Sequence, residues 1–138
     1  MEKTATKDIF CREEIVGRST ITKAEGMRIV LAMDGVAEYH VLIVPVRHVA
    51  RLSELTQEEN AGMLKALRLV EGFYSAHGID GYKLILLSGP GAGQTISHMH
   101  WHVIPGNSEF VTDPKQRSLH YTPEELSKKA AALAPEFK

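Results

Sequence analysis

Apolar residues occur along this chain in short continuous runs and in one long periodic stretch. Residues 27–33 (MRIVLAM) and 39–45 (YHVLIVP) are apolar runs, and the second is rich in β-branched residues, as is typical of buried strands. Between them lies Asp34-Gly35, a dipeptide suited to a tight turn. We expect an antiparallel hairpin, because so short a connection favours neighbours in one sheet.

A long amphipathic helix is predicted from about Thr56 to His77. Thr56 and Glu59 form a T-x-x-E capping box at its start, and Gly78 supplies a stop at its end. Residues at spacings of three and four then place a broad apolar stripe on one side of the helix. These residues are Met63, Leu64, Leu67, Val70, Glu71, Phe73 and Tyr74.

A second hairpin and a short C-terminal helix complete the pattern. Residues 81–88 and 95–105 are predicted strands, joined by the glycine-rich stretch GPGAGQ. Thr122, Pro123 and Glu125 are an N-cap, an N1 proline and an N3 glutamate, so a helix is expected to begin there. In the first 26 residues, IFCREEIVG predicts a short helix or an arm that packs back on the body.

Hairpins separated by one long helix favour a particular fold class. They predict an α+β protein with an antiparallel sheet of about five strands, and they disfavour a doubly wound parallel sheet. The chain of 138 residues has no internal repeat or long linker, so we expect a single domain over 1–138.

Composition excludes several classes of protein. The net charge of −1 and the pI near 6.7 argue against a general nucleic-acid binder. Cys11 is the only cysteine, which excludes an intramolecular disulfide. We see neither the pattern of a signal peptide nor an apolar run of membrane-spanning length. The sequence therefore predicts a cytoplasmic protein with no nucleic acid and no membrane as partner.

Three histidines alternate in the last predicted strand. His98, His100 and His102 share one face of such a strand, while the apolar residues between them face the core. They can be half-buried surface residues, metal ligands or catalytic groups. A metal site is disfavoured, because no acidic residue follows at ligand spacing and there is no second cysteine. Phosphoryl chemistry is favoured: a neutral imidazole is a nucleophile, and the backbone N–H groups of a glycine-rich loop can hold phosphate oxygens.

The sequence GQTISHMHWHVIP resembles the H-φ-H-φ-H-φ-φ signature of the histidine triad (HIT) superfamily of nucleotide hydrolases and transferases, where φ is apolar. Upstream, HVLIVPVRH is similar to a second family segment, with His40 and His48 at the usual spacing of eight. IFC at 9–11 is similar to an N-terminal family element. The resemblance implies a HIT-like fold that forms a homodimer and binds a purine nucleotide, with no cofactor.

The resemblance also implies roles for individual histidines. His100, the middle residue of the triad, would be the nucleophile that takes the nucleotidyl group as a phosphoimidazole, which water then releases. His98 and His102 would orient His100 and hold charge around the phosphate, and His40 would approach from the neighbouring strand. The expected nucleotide- and phosphate-binding residues are Gln94, Thr95, Gly93 and Asp34.

This chain departs from the family pattern at three positions. Leu87 stands where many relatives have Asn or Gln, so one polar contact is lost or moved to Ser88. Asp34, the expected ribose acceptor, lies six rather than eight residues before His40, which requires a shorter turn. Asp8 stands where some relatives have the first cysteine of a C-x-x-C zinc pair, so no metal is expected at Cys11.

The function expected from these features is hydrolysis at a nucleoside 5′-phosphoryl group. The GPGAGQT loop resembles that of dinucleoside polyphosphate hydrolases somewhat more than that of phosphoramidases, so both leaving-group classes stay open. The alternatives are a nucleotide-binding or scaffolding protein with little catalysis and a histidine-ligated metalloprotein.

Overall fold

The computed structural model describes residues 9–94 and 96–137. Its helices and strands are short apart from one helix of 20 residues. The helices are α1 (Glu13–Ser19), α2 (Gln57–Ala76) and α3 (Pro123–Leu133). The strands are β1 (Thr20–Ala24), β2 (Met27–Leu31), β3 (Asp34–Gly35), β4 (Val41–Pro45), β5 (Tyr82–Leu86), β6 (Trp101–Pro105) and β7 (Leu119–His120).

Five of the strands form one antiparallel sheet in the order β1-β2-β4-β6-β5. In the centre of the sheet, Leu42 of β4 lies opposite His102 of β6. The predicted α+β class, the antiparallel sheet of about five strands, the long helix and the short C-terminal helix are confirmed. The single domain over 1–138 stays a prediction.

Helix α2 begins and ends where its local signals predict. The hydroxyl of Thr56 accepts from the N–H of Glu59, whose carboxylate accepts from the N–H of Thr56. Its buried stripe is narrower than expected, because Leu64 is 60% exposed and Glu71 is also exposed. The buried residues of the helix are Glu59, Gly62, Met63, Ala66, Val70, Phe73 and Tyr74.

Both faces of the sheet are covered, and this determines where the histidines lie. Every residue of β2, β4 and β6 is buried. The larger core cluster joins α2 and α3 to one set of strand side chains, which includes Met99, Trp101 and Val103. A smaller cluster contains the alternate residues of β2 and β4 together with two residues from the N-terminal segment. Its members are Phe10, Val16, Val30, Ala32, Leu42 and Val44.

The predicted strand over 95–105 is wrong in its first half. The regular strand begins only at Trp101, because the N–H of Met99 bonds to the carbonyl oxygen of Val49, 2.7 Å away. Met99 therefore bonds to the connection that follows β4 rather than to β4 itself. The alternation of side chains nevertheless persists, since Met99 is buried in the larger core cluster with Trp101.

The predicted turn at Asp34-Gly35 is also wrong. These residues form the short strand β3, in which Asp34 lies opposite His120 of β7. The chain reverses direction later, around Tyr39, whose φ is 71°. The turn is displaced because β7, which is distant in sequence, takes the Asp-Gly pair as a strand partner.

None of the helices in the described part of the chain combines the length and the apolar character needed to cross a membrane.

Two glycines of α2 provide a test of how closely the helix packs on the sheet. A Cβ at Gly62 would overlap the backbone carbonyl of Glu25, whereas a Cβ at Gly72 would meet nothing within 4 Å. We expect Gly62→Ala to lower the free energy of unfolding by about 1–3 kcal/mol through overpacking. Gly72→Ala should raise it by up to about 1 kcal/mol through helix propensity. Urea unfolding of both variants measures this difference, and a stabilising Gly62→Ala would contradict the packing described.

Candidate active site

A cleft of about 340 Å³ opens on the face of the sheet that carries the smaller apolar cluster. His100 and His102 line it together with Asp34, Gly93 and Gln94. The rest of the lining is largely apolar and includes Phe10, Val16, Val30, Ala32, Leu42 and Ile96. A concave apolar site with a few convergent polar groups is the usual form of a small-molecule site.

His100 is held by a hydrogen bond to the backbone next to it. Its Nδ1 lies 3.1 Å from the carbonyl oxygen of His98, and a carbonyl can only accept, so Nδ1 carries the hydrogen. In the neutral ring, Nε2 therefore carries the lone pair. The ring is half-buried and packs against Phe10, with 5.1 Å between the ring centroids.

A chain of hydrogen bonds sets the tautomers of two further histidines. The backbone N–H of Val36 donates to Nδ1 of His40 at 3.0 Å, so His40 carries its hydrogen on Nε2. That Nε2 lies 3.0 Å from Nδ1 of His102, which must accept. His102 consequently carries its hydrogen on Nε2 and can donate from a ring that lines the cleft.

Burial keeps this pair of histidines neutral. It lowers the pKa of His40 to about 4, helped by the positive charge of Arg117 and by repulsion from His100 when that ring is protonated. It lowers the pKa of His102 to about 2, again with contributions from neighbouring positive groups. The expectation that His102 holds charge around a phosphate stays a prediction, and the lowered pKa disfavours a positive charge on this ring. A neutral His102 can offer a hydrogen-bond donor instead.

His98 lies behind the cleft rather than in it. Its side chain is fully buried, and its Nε2 donates to the carbonyl oxygen of Pro45 at 2.7 Å. The ring also packs edge-on against Phe10, with 5.6 Å between centroids. The expected orientation of His100 by His98 thus runs through the backbone carbonyl of His98 and not through its imidazole.

Cys11, His48 and His98 form a cluster that the sequence did not predict. The Sγ of Cys11 lies 3.4 Å from Nδ1 of His48 and 3.4 Å from Nδ1 of His98. The potential ligand atoms all lie within 4.8 Å of one another. Thiolate and imidazole are the ligand types that Zn²⁺ prefers, and the bond from His98 to Pro45 fixes the ring as an outer-shell contact does in zinc sites. The three side chains therefore fit part of a zinc coordination sphere.

The glycine-rich loop contributes backbone to the cleft and uses its glutamine internally. Gln94 accepts from the N–H of Gly89 at 2.6 Å and donates to the carbonyl of Ile96 at 2.8 Å. Gly93 has a φ of 98°, a conformation that favours glycine. Leu87 also lines the cleft, so the position at which many relatives have a polar residue is apolar here. The predicted site residue Thr95 lies outside the described residues.

Asp34, the expected ribose acceptor, is engaged by another residue. Its Oδ1 accepts from Nδ1 of His120 at 2.7 Å, which raises the pKa of His120. Sequence reasoning did not find His120, nor Arg117 and Phe110, which come close to the site from the same C-terminal segment. No local motif marks these residues, since His120 and Arg117 contact Asp34, and Phe110 contacts His102, only through the fold.

The sequence model of the HIT domain family matches residues 15–109. The chain belongs to the HIT family. The HIT match ends before the C-terminal segment that contacts Asp34.

Known proteins extend this comparison. The bis(5′-adenosyl)-triphosphatase of Saccharomyces cerevisiae is 32% identical over 101 residues, which cover 72% of this chain and 49% of the yeast protein. This HIT chain thus spans about half the length of that relative.

Solved structures of HIT proteins share the fold. A HIT-like protein involved in cell-cycle regulation from Bartonella henselae superposes with a TM-score of 0.73 at 17% identity, over 95% of this chain and 96% of that one. A zinc-bound histidine triad family protein from Mycobacterium smegmatis superposes with a TM-score of 0.65 at 23% identity, over 95% of this chain and 98% of that one.

The buried histidine pair predicts a loss of stability in mildly acidic solution. An unfolded histidine binds a proton near pH 6.5, whereas folded His40 and His102 do so only near pH 4 and pH 2. Because the unfolded state then binds more protons, the free energy of unfolding falls as the pH drops below 6.5. The expected fall is about 1 kcal/mol per histidine per pH unit. Urea unfolding at pH 7.5 and 5.5 measures it.

Two variants check the sign of this effect. His102→Asn removes one of the two titrations, so the fall between pH 7.5 and 5.5 should become smaller. His120→Asn should make the fall steeper, because the raised pKa of His120 adds stability as the pH decreases. An unchanged fall in His102→Asn would mean that His102 is not kept neutral by the fold.

Proposed function

We propose that this protein is a nucleotide hydrolase that cleaves the bond to a nucleoside 5′-phosphoryl group through a nucleotidyl intermediate on His100. The observation that carries the proposal is the bond from Nδ1 of His100 to the carbonyl of His98. It assigns the lone pair to Nε2 of a ring that lines the cleft. An imidazole in this state is a nucleophile at neutral pH without any further base.

In the first step, Nε2 of His100 attacks the α-phosphorus and the bond to the leaving group breaks. The leaving group departs with the electron pair of that bond, as a nucleoside phosphate or as an amine that takes a proton from water. Negative charge on the non-bridging oxygens meets the Nε2–H of neutral His102 and the backbone of the glycine loop around Gly93.

In the second step, water attacks the phosphorus and the bond from phosphorus to Nε2 breaks. The nucleoside monophosphate leaves, the attacking water gives up its proton to the solvent, and His100 returns to the neutral ring with the electron pair of the broken bond on Nε2. Between the two steps the ring is a phosphorylated imidazolium. Its positive charge is stabilised by the retained hydrogen bond from Nδ1–H to the carbonyl of His98.

The comparisons favour one class of leaving group. The yeast relative is named a bis(5′-adenosyl)-triphosphatase, which supports a dinucleoside polyphosphate as the substrate. A nucleoside phosphoramidate is the second class, because the attack by His100 is the same for either bond. The apolar wall of the cleft suits a purine base.

The homodimer stays a prediction from the family resemblance. Strand β5 lies at the edge of the five-stranded sheet, and its Leu84 is 41% exposed. An edge strand of this kind is suited to pairing with a second copy of the chain.

The hydrolase proposal is tested by trapping the intermediate on His100. Purified protein is mixed with diadenosine triphosphate or an adenosine phosphoramidate, quenched, and analysed by peptide mass spectrometry. We expect an adenylyl adduct on His100 and a fall in kcat/KM of at least about a thousandfold for His100→Ala, because the nucleophile is removed. His77→Gln is the matched control, since His77 pairs with Glu136 away from the cleft.

The same experiment separates the alternative of a nucleotide-binding scaffold. Such a protein would bind nucleotide without forming the adduct. Activity of His100→Ala within tenfold of the parent chain would show that another group is the nucleophile.

We propose zinc binding at the Cys11–His48–His98 cluster as a second property. The approach of three ligand atoms to within 4.8 Å supports it, as does the zinc-bound relative from Mycobacterium smegmatis. Zinc there would be structural: it would fix His98, whose carbonyl orients His100. This differs from the sequence-based expectation of no metal, which rested on the missing acidic ligand near the triad, the lack of a second cysteine and the aspartate at position 8.

The zinc proposal predicts metal that is lost when the cluster is broken. After dialysis against dilute zinc and then metal-free buffer, the parent chain should retain stoichiometric zinc by atomic spectroscopy. Cys11→Ser should retain much less, because it removes the thiolate ligand. His77→Gln should retain as much as the parent, since its ring lies outside the cluster. Zinc-free parent protein after this treatment would refute the proposal.

A further inference from the structure

The cleft has one wall that the family pattern does not describe. The HIT match ends at residue 109, but the segment 110–126, here called the C-terminal wall, also lines the cleft. Thr112 of this wall lies against the glycine loop, since a Cβ at Gly93 would be 3.5 Å from its Cγ2. Ligand contacts made by the C-terminal wall therefore lie outside the residues that the family model matches.

Arg117 is the cationic residue of the C-terminal wall that lines the cleft. It is half-buried, and three of its nitrogens donate to backbone carbonyls. Nε bonds to Val111 at 2.7 Å, Nη1 to Asp34 at 3.0 Å and Nη2 to Thr112 at 3.2 Å. These bonds hold the guanidinium in one place before any ligand arrives.

Aromatic stacking connects Arg117 to the histidine pair. Its guanidinium carbon lies 5.3 Å from the ring centroid of Phe110, and that ring lies 4.8 Å from the ring of His102. Arg117 is thus a neighbour of the catalytic groups on one side and of Asp34 on the other.

The carboxylates of Asp34 and Asp113 act on the charge of Arg117 from a distance, and neither forms a salt bridge with it. Among residues 9–94 and 96–137, no carboxylate oxygen lies within 4.0 Å of its guanidinium. Asp34 contacts it only through the backbone, and the carboxylate of Asp34 is engaged by His120. A guanidinium has five N–H groups, so the three carbonyl bonds leave two for a ligand. A half-buried cation with spare donors on the wall of a cleft is suited to bind phosphate.

We infer that Arg117 binds a second phosphate group of the nucleotide, distinct from the one that His100 attacks. This inference rests on the proposed function only in assuming that the cleft takes a nucleotide. The second phosphate can lie in the leaving group or on the ribose. The ribose position is consistent with the engagement of Asp34 by His120, because an acidic residue paired in this way is less able to accept from ribose hydroxyls while a nearby arginine can take a ribose phosphate.

Equilibrium binding of three ligands tests the inference without relying on turnover. Calorimetric titration with AMP, ADP and adenosine 3′,5′-bisphosphate compares one phosphate with two in different places. The parent chain should bind at least one of the two bisphosphorylated ligands about tenfold or more tightly than AMP. Arg117→Met should remove that preference and leave the affinity for AMP within about threefold. A preference for ADP places the second phosphate in the leaving group, and a preference for the 3′,5′-bisphosphate places it on the ribose.

Two further variants separate binding from a purely structural role. Lys115→Met changes an exposed cation in the same wall that does not line the cleft, so the preference should persist. Arg117→Lys keeps the charge but not the planar fork, and should retain part of the preference. Equal weakening of all three ligands by Arg117→Met would overturn the inference, as would equal affinity of the parent chain for all three.

The outcome is independent of the test on His100. An adduct on His100 without any bisphosphate preference would refute the role of Arg117 and leave the hydrolase proposal intact. A preference that depends on Arg117 without an adduct would refute hydrolysis and leave the second phosphate site.

Discussion

The hydrogen bond between Nε2 of His40 and Nδ1 of His102 joins the residue that precedes β4 to a residue inside β6, at the candidate site. It forms because the β4–β6 register places Leu42 opposite His102, and because the backbone N–H of Val36 leaves only Nε2 of His40 to donate. Two buried imidazoles without partners would be costly, whereas this chain satisfies both in their neutral form. The same bond decides that His102 offers an N–H to the cleft. The strand register therefore permits the bond between the two buried histidines, and that bond sets the tautomer of His102 in the site.

His98 holds His100 in a comparable way, because its own ring is fixed by several contacts. Its ring is enclosed by Phe10, Cys11 and His48 and is tied to Pro45, so the backbone at His98 is anchored in several directions. Because its carbonyl accepts from Nδ1 of His100, that anchoring positions the ring of His100, the proposed nucleophile. The N-terminal segment thus contributes to the site without supplying a reacting group.

Local signals predicted the parts of the fold that local interactions determine. The capping box of Thr56 and Glu59 placed the start of α2 correctly, since its hydrogen bonds lie within four residues of chain. The Asp34-Gly35 turn failed because β7 competes for the same backbone. The start of β6 was misplaced for a similar reason, since the bond from Met99 to Val49 cannot be read from alternation alone. The alternation of the three histidines and the family signature both indicated a site. The tautomers and burial of these histidines depend on contacts between distant segments and could not be predicted in this way.

The family match gives no information about the C-terminal wall, because the wall lies beyond the matched residues. The proposed attack on phosphorus involves His100 and donors near it, and these lie within the matched residues 15–109. Discrimination among nucleotides requires groups that touch the rest of the substrate, and Arg117 and Thr112 lie beyond the match. The bond from Arg117 to the carbonyl of Asp34 joins the two regions, so a change in the C-terminal wall alters the surroundings of a residue in the family core. Under the proposed function, the strands within the family match supply the reacting groups and the C-terminal wall selects the nucleotide, so chains with the same histidines can differ in the nucleotide that they select.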